Sequence, residues 1–479
     1  MTDSFLLERL IHRPLFREMA PGRGFLMTSM LLSAVLVATS YCAVLENQPV
    51  EIPSTDSETK RKVWTVLDNG LEFALLPIVS MLPPSQQKVT VITFFNAGAH
   101  NDPGGKSGRT KLAAHLFALS RAGDRSSRSY QQWQDYHEGQ AQLRAGSQHT
   151  WIIESVPPGQ LLDTIEELRN RFAKLEVTTD DLDRTRKYLR KNKRTGKWGD
   201  SDQLANKVLD RLDPLASGPR DRDDWNTFDL EEIRKFLANS FQPVNARIAI
   251  VGPFDPRPIL EAIQVKLGPI AGGKKLTRPP VPVPIHGVVK PFSSTDPSRG
   301  LIMKGWRVPA PGTVEALALG LFVPRVQRSL QQGHGDCSWD PFLNPEVVLI
   351  KQEVFGKEPF QPKDLEEAIS RVDATIEFAI TAPLEGGDFE WARKSIGIHL
   401  GAYRVHEEVS MVSPLPVAEA VLLRRVFNMD EPELQNNFGR DQALLRLREN
   451  YLTDKKSVSG SVIPKRITEG ANSIRSESR

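Results

Sequence analysis

The chain has 479 residues, 25% charged and 39% hydrophobic, with a formal net charge of +3. This is an ordinary globular composition, long enough for roughly two to four domains that each bury a core, and the small net charge argues against general binding of nucleic acid or other polyanions. Two cysteines, Cys42 and Cys337, exclude a disulfide framework and a cysteine-rich zinc site.

Phe25 to Leu45 is 21 residues without a charge, and about 20 apolar residues span a bilayer core. Arg9, Arg13, Arg17 and Arg23 precede it against Glu8 and Glu18. The positive-inside rule therefore predicts a cytoplasmic N-terminus (1–24), a transmembrane anchor (25–45) and an extracytoplasmic, periplasmic bulk. A cleaved signal is the competing reading: Ala38-Thr39-Ser40 offers small residues, but the apolar run is long for a signal. A buried helix of a soluble protein is the third.

Residues 46–61, polar with Pro49 and Pro53, read as a linker. Val63–Leu67 and Leu71–Leu76 flank Asp68-Asn69-Gly70, a hairpin signal between two apolar runs. Lys88–Phe95 is a third strand, rich in β-branched residues, and Gly98–Gly108 a Gly-rich loop. Apolar residues at helical spacing predict a helix over about 110–121 and another over 159–175, with a strand at 149–156 between them. Thr178-Thr179-Asp180-Asp181 reads as a helix start with acidic residues in its first turn, followed by a basic helix to about Lys193. A helix at 230–241 and a strand at 246–251 close a first unit, 62–270. The Pro-rich stretch 271–291 reads as a stiff linker. A second unit, 292–465, opens with a strand at 300–306 and a helix at 313–330, and 466–479 reads as a polar, disordered tail.

Three stretches carry a family resemblance: LDNGLEFALLP from Leu67, VTVITFFNAGAHNDPGGKSGRTKLAAHLF from Val89, and ARIAIVGPFDP from Ala246. In this order they resemble the first hairpin, the strand, Gly-rich loop and metal helix, and the closing strand and turn of the insulinase, pitrilysin and mitochondrial processing peptidase family of zinc metallopeptidases. The match covers 62–270 and is weaker beyond. The resemblance implies an α+β fold of two tandem LuxS/MPP-like metallohydrolase-type domains, facing each other across a cleft.

The family's inverted motif, His-x-x-Glu-His, gives two zinc ligands and a general base. Aligned on Gly108, the motif positions fall on Lys111, Ala114 and His115. The third ligand, a later Glu, falls on Arg190 by way of Asp183-Arg184, or on Asn192 in a register shifted by two. One imidazole cannot hold zinc, and Lys111 and Arg190 would repel a divalent ion. The resemblance therefore implies a degenerate member with no catalytic residue, metal or cofactor. His100, His137 and His149 match no ligand spacing and read as loop or surface histidines. The family's substrate-holding Arg and Tyr pair has no full match in the second half. Arg325 and Arg328 are the residues left to line a partner or peptide cleft, and no Tyr follows them at the required spacing.

Gly104-Gly105-Lys106-Ser107 falls short of a phosphate loop, because His100 stands where its first Gly belongs. Arg186–Lys197, with seven basic residues in twelve, is read as a solvated face or a partner contact and not a nucleic-acid patch. The expectation is a membrane-anchored, extracytoplasmic pseudopeptidase that binds a peptide or protein partner, an active homologous subunit among them. The alternatives are an active zinc peptidase with relocated or partner-supplied ligands, and a purely structural subunit of a membrane complex.

Overall fold

The computed structural model describes residues 64–78, 80, 82–103, 106–192, 199–214, 224–277, 283–294, 299–310, 313–331, 333–340, 343–355, 362–383, 414–426 and 441–464. The apolar run 25–45, the linker 46–61 and the tail 466–479 lie outside them. Among the described residues no helix is long and apolar enough to cross a membrane.

The first part of the chain builds strands β1 (Trp64–Val66), β2 (Glu72–Pro77), β3 (Val89–Phe95), β4 (Arg121–Ala122), β5 (Gln142–Ala145), β6 (Thr150–Val156), β7 (Leu175–Glu176) and β8 (Ala246–Gly252). Helices α1 (Arg109–Leu119), α2 (Tyr130–Tyr136), α3 (Leu161–Ala173), α4 (Thr179–Asn192), α5 (Asp200–Leu212), α6 (Leu230–Ser240) and α7 (Pro256–Leu267) are interleaved with them. The main sheet runs β1-β2-β8-β3-β6-β5. Its β2–β8 pair is parallel and its other pairs are antiparallel. The Asp68-Asn69-Gly70 turn joins β1 to β2 as the sequence predicts. All seven residues of β3 and of β6 are buried, because each face of the sheet is covered; β3 accordingly reads as continuously apolar or β-branched, whereas β6 also carries Glu154 and Ser155.

The second part repeats the scheme with β9 (Gly287–Val288), β10 (Phe292–Ser294), β11 (Arg299–Arg307), α8 (Val314–Gln331), β12 (Gly335–Trp339), β13 (Val347–Phe355), α9 (Pro362–Thr381), α10 (Pro414–Val426), α11 (Asp441–Asn450) and β14 (Ser457–Pro464). Its sheet runs β10-β14-β11-β13-β12, with β9 also paired to β14. The fold is mixed α/β, with a sheet from each part of the chain.

Each half lends one helix to the other. Val417, Ala418, Val421 and Leu422 of α10 pack on Ile92, Phe94, Trp151, Ile153 and Val251, the face of the first sheet turned away from α1. Reciprocally, Leu204, Val208, Leu209 and Leu212 of α5 pack on Leu301, Met303, Val458 and Val462 of the second sheet. Gly305 on β11 permits this approach: a Cβ there would lie 2.6 Å from Leu349 and 2.8 Å from Leu212. Arg144 meets Glu419 at 2.9 Å, and Glu72 accepts from Arg247 at 3.2 Å and Arg425 at 2.9 Å. Lys62–Arg479 is accordingly one compact unit.

Candidate functional site

The Gly-rich loop delivers α1 through a buried carboxylate. Asp102 accepts the Gly108 N–H at 2.7 Å, the Thr110 N–H at 2.8 Å and the Thr110 hydroxyl at 2.7 Å, satisfying donors that a helix start leaves open. Burial pushes its pKa up to about 6. Gly108 has φ +95°, and the Trp225 indole lies against it so closely that a Cβ would fall 2.2 Å from Nε1. Only glycine suits both demands.

From Leu112 to Leu119 every residue of α1 is buried. Lys111 is exposed, with its ammonium 5.7 Å from the Trp225 ring centroid. Ala114 is packed in the core. The His115 Nδ1 lies 2.9 Å from the Lys111 carbonyl oxygen. A carbonyl only accepts, so Nδ1 carries the proton and Nε2 the lone pair. The His115 ring sits 5.9 Å from Tyr130 and 5.7 Å from Tyr188, which stack on each other at 4.5 Å. Burial pushes the His115 pKa down to about 4, so the imidazole is neutral. Burial, and after it the Tyr130 hydroxyl, raises the Tyr188 pKa, so that phenol keeps its proton.

Zinc does not fit this arrangement. A family-type site needs three protein donors, and here the only one of the right kind is the lone pair of His115. Among the described residues no group of three or more His, Cys, Asp or Glu side chains is placed to hold a metal ion.

Arg190, read from the sequence as the third ligand position, does not face His115. It is exposed on α4, with Nε 3.4 Å from the Arg186 carbonyl oxygen. The α4 residue against His115 is Tyr188. Two residues along a helix turn the side chain by about 200°, so a register error of two moves a site residue to solvent. The other member of the aromatic pair, Tyr130, opens α2. Neither tyrosine belongs to a ligand motif. The available signal for Tyr188 was its position beside buried Thr185 and Leu189 on an otherwise basic helix.

Arg325 does not line a cleft either. It is buried, and its guanidinium donates to the carbonyl oxygens of Ala379 (2.8 Å), Ala382 (3.0 Å) and Pro383 (3.3 Å), closing the C-terminus of α9. Arg328, one turn further on, is exposed.

The three histidines expected in loops or at the surface lie in loops and turns, and all three are buried. The His100 Nε2 is 2.7 Å from the Asp213 carboxylate at the end of α5. His149 lies under Phe94, 4.7 Å between centroids. The His137 Nε2 is 3.2 Å from Glu154 on β6. Glu154 also accepts from both Arg171 Nη atoms at 2.8 Å and from Trp133 at 3.0 Å. Burial alone would lift the Glu154 pKa, but the Arg171 guanidinium holds it well below the usual range. These partners come from elements far apart in sequence, which local spacing cannot reveal.

Residues 227–323 match the sequence model described as the peptidase M16 inactive domain. No curated protein matches the sequence. In structure the chain is similar to a protease from Helicobacter pylori, at 17% identity and TM-score 0.63, covering 84% of this chain and 99% of that one. It is similar to a peptidase M16 inactive domain from Pseudomonas fluorescens, at 13% identity and TM-score 0.63, covering 84% and 97%. A chain of complex III2 from Candida albicans shares the fold at 13% identity and TM-score 0.57, covering 83% and 95%. The match over 227–323 and the shared fold make this chain similar to proteins of the peptidase M16 inactive-domain type.

Proposed function

We propose that the chain binds a peptide or protein partner over Lys111, Tyr130 and Tyr188, the side chains around buried His115, without hydrolysis. In this reading residues 25–45 anchor it in the membrane, with the N-terminus cytoplasmic and the two peptidase-like domains, 62–270 and 292–465, outside. The observation that carries the proposal is chemical: a neutral histidine beside two stacked tyrosines offers apolar contact and hydrogen bonding where a peptidase needs three metal donors. The complex III2 chain of the same fold is part of an assembly, which supports a protein partner and keeps the structural-subunit reading in play.

Metal content and co-purification test this. The full chain in detergent is expected to hold well under roughly one zinc per chain, given its donor count, and to show no chelator-sensitive cleavage of unstructured peptides. A partner co-purified from solubilised membranes should be lost on Tyr188→Ala. One zinc per chain, or cleavage abolished by His115→Ala, would establish the active reading. A partner retained by Tyr188→Ala and by Lys111→Glu would favour the structural subunit. Lys111→His with Ala114→Glu and Tyr188→Glu should restore zinc binding, whereas Arg190→Glu in place of Tyr188→Glu should not. The reverse result would return Arg190 to the third position.

A further inference from the structure

Between the end of α3, strand β7 and the end of α6 lies a hollow of about 520 Å³. Every residue that lines it falls within the described stretches 106–192 and 224–277. The floor is aromatic: the Phe117 ring stands 5.6 Å from Phe172 and 5.5 Å from Phe241, and Phe117 and Phe241 are buried. Ala173 on α3 and Ala238 on α6, both exposed, line it too, and side chains this short fill little of it. Two guanidinium groups stand in the walls with donors to spare. Arg171, buried, gives both Nη atoms to Glu154 at 2.8 Å and Nη2 also to Glu167 at 2.6 Å, and its Nε–H has no partner among the described residues. Arg234, exposed, gives Nε and Nη2 to the Val177 carbonyl oxygen at 3.1 and 2.7 Å. Those two bonds fix the plane of the guanidinium and leave Nη1 unused, and no carboxylate among the described residues pairs with it.

We infer that this hollow binds a small apolar monocarboxylate. Its body lies over Phe117, Phe172, Leu237 and Phe241, where removing apolar area from water is favourable. Its carboxylate takes the unused side of the Arg234 guanidinium in a charge-assisted hydrogen bond. The sign of the charge follows from the walls. The acids beside these arginines are engaged already, Glu154 and Glu167 by Arg171, and Glu176 lies 3.7 Å from Arg121. Arg234 has only a carbonyl. A cationic ligand would meet two guanidinium groups, and a neutral one would leave Arg234 unanswered. An apolar pocket with a few placed polar groups is the usual form of a small-molecule site. The hollow shares no residue with the surface around His115, so the two proposals stand or fall separately.

The test uses the full chain in detergent and titration calorimetry with hydrocinnamate, its neutral amide, and acetate. Hydrocinnamate should bind. The amide should bind about tenfold more weakly, the loss expected when a hydrogen bond to a charged group is given up, and acetate, with no body to bury, should not bind measurably. Arg234→Gln should weaken hydrocinnamate to the level of the amide. Lys235→Gln, which removes a neighbouring exposed charge that does not line the hollow, should leave the affinity unchanged. Ala238→Phe should fill the hollow and abolish binding of acid and amide alike. Ala238 is exposed, so an unaltered melting temperature will show that the variant is folded. The proposal is overturned by absence of binding, by an amide that binds as tightly as the acid, or by an affinity indifferent to Arg234→Gln or to Ala238→Phe.

Discussion

The two halves share a strand order and exchange a helix, yet they bury different things. The first encloses an ion pair: Glu154 and Arg171 sit in its core beside the His137 ring, each 3% exposed or less, and the space around His115 is taken by aromatic rings. The second has an ionic cluster near the surface, where Asp373 is 44% and Asp454 84% exposed around Lys304. Ala114 and His115 are themselves buried residues of the first half.

Removing one buried charge from each half tests this contrast most sharply. Glu154→Ala leaves Arg171 buried without its bidentate partner and should cost about 3–5 kcal/mol in urea unfolding. Asp373→Ala should cost less than about 1 kcal/mol, because its ion pair is half in water. Equal costs would erase the distinction between the halves.

The buried histidine gives the next largest effect. An unfolded histidine takes up its proton near pH 6.5, while burial keeps His115 neutral in the folded chain until about pH 4. Its contribution is therefore fully present above pH 6.5 and is lost as pH falls toward 4. Between pH 7.5 and 5 the loss should be about 2 kcal/mol, and His115→Phe should remove that part of the pH dependence. An unchanged slope in the variant would mean that His115 is accessible to water and that its pocket is open.

The exchanged helices give the last of these tests. Gly305→Ala puts a methyl group against Leu349 and Leu212 and should cost about 1–3 kcal/mol, the usual range for overpacking. The loss should appear in the single unfolding transition of residues 62–479. If it splits that transition in two, the halves are less firmly joined than the reciprocal packing of α5 and α10 implies.

Local pattern was enough for several elements. The turn at Asp68-Asn69-Gly70, the apolar strands β3 and β8, and the helices around 110–121, 159–175 and 230–241 follow from turn chemistry and periodicity, which act over a few residues. The departures from the motif at Lys111, a ligand position, and Ala114, the base position, were legible for the same reason, since those positions are fixed by their distance from Gly108 along one helix. The third position was not legible. It depends on how α4 is rotated against α1: the sequence offered Arg190 or Asn192, whereas the α4 residue beside His115 is Tyr188.

Tertiary structure alone decided where the isolated histidines and Arg325 belong. His100 meets Asp213 across 113 residues, and Arg325 reaches the end of α9 some 54 residues away. A side chain's spacing in sequence carries no record of such partners. The exchange of α5 and α10 is likewise a product of chain crossing. Sequence determines which face of a helix is apolar; only the assembled fold determines which sheet that face meets, because the free energy of burial depends on area removed from water and not on which half of the chain supplies it.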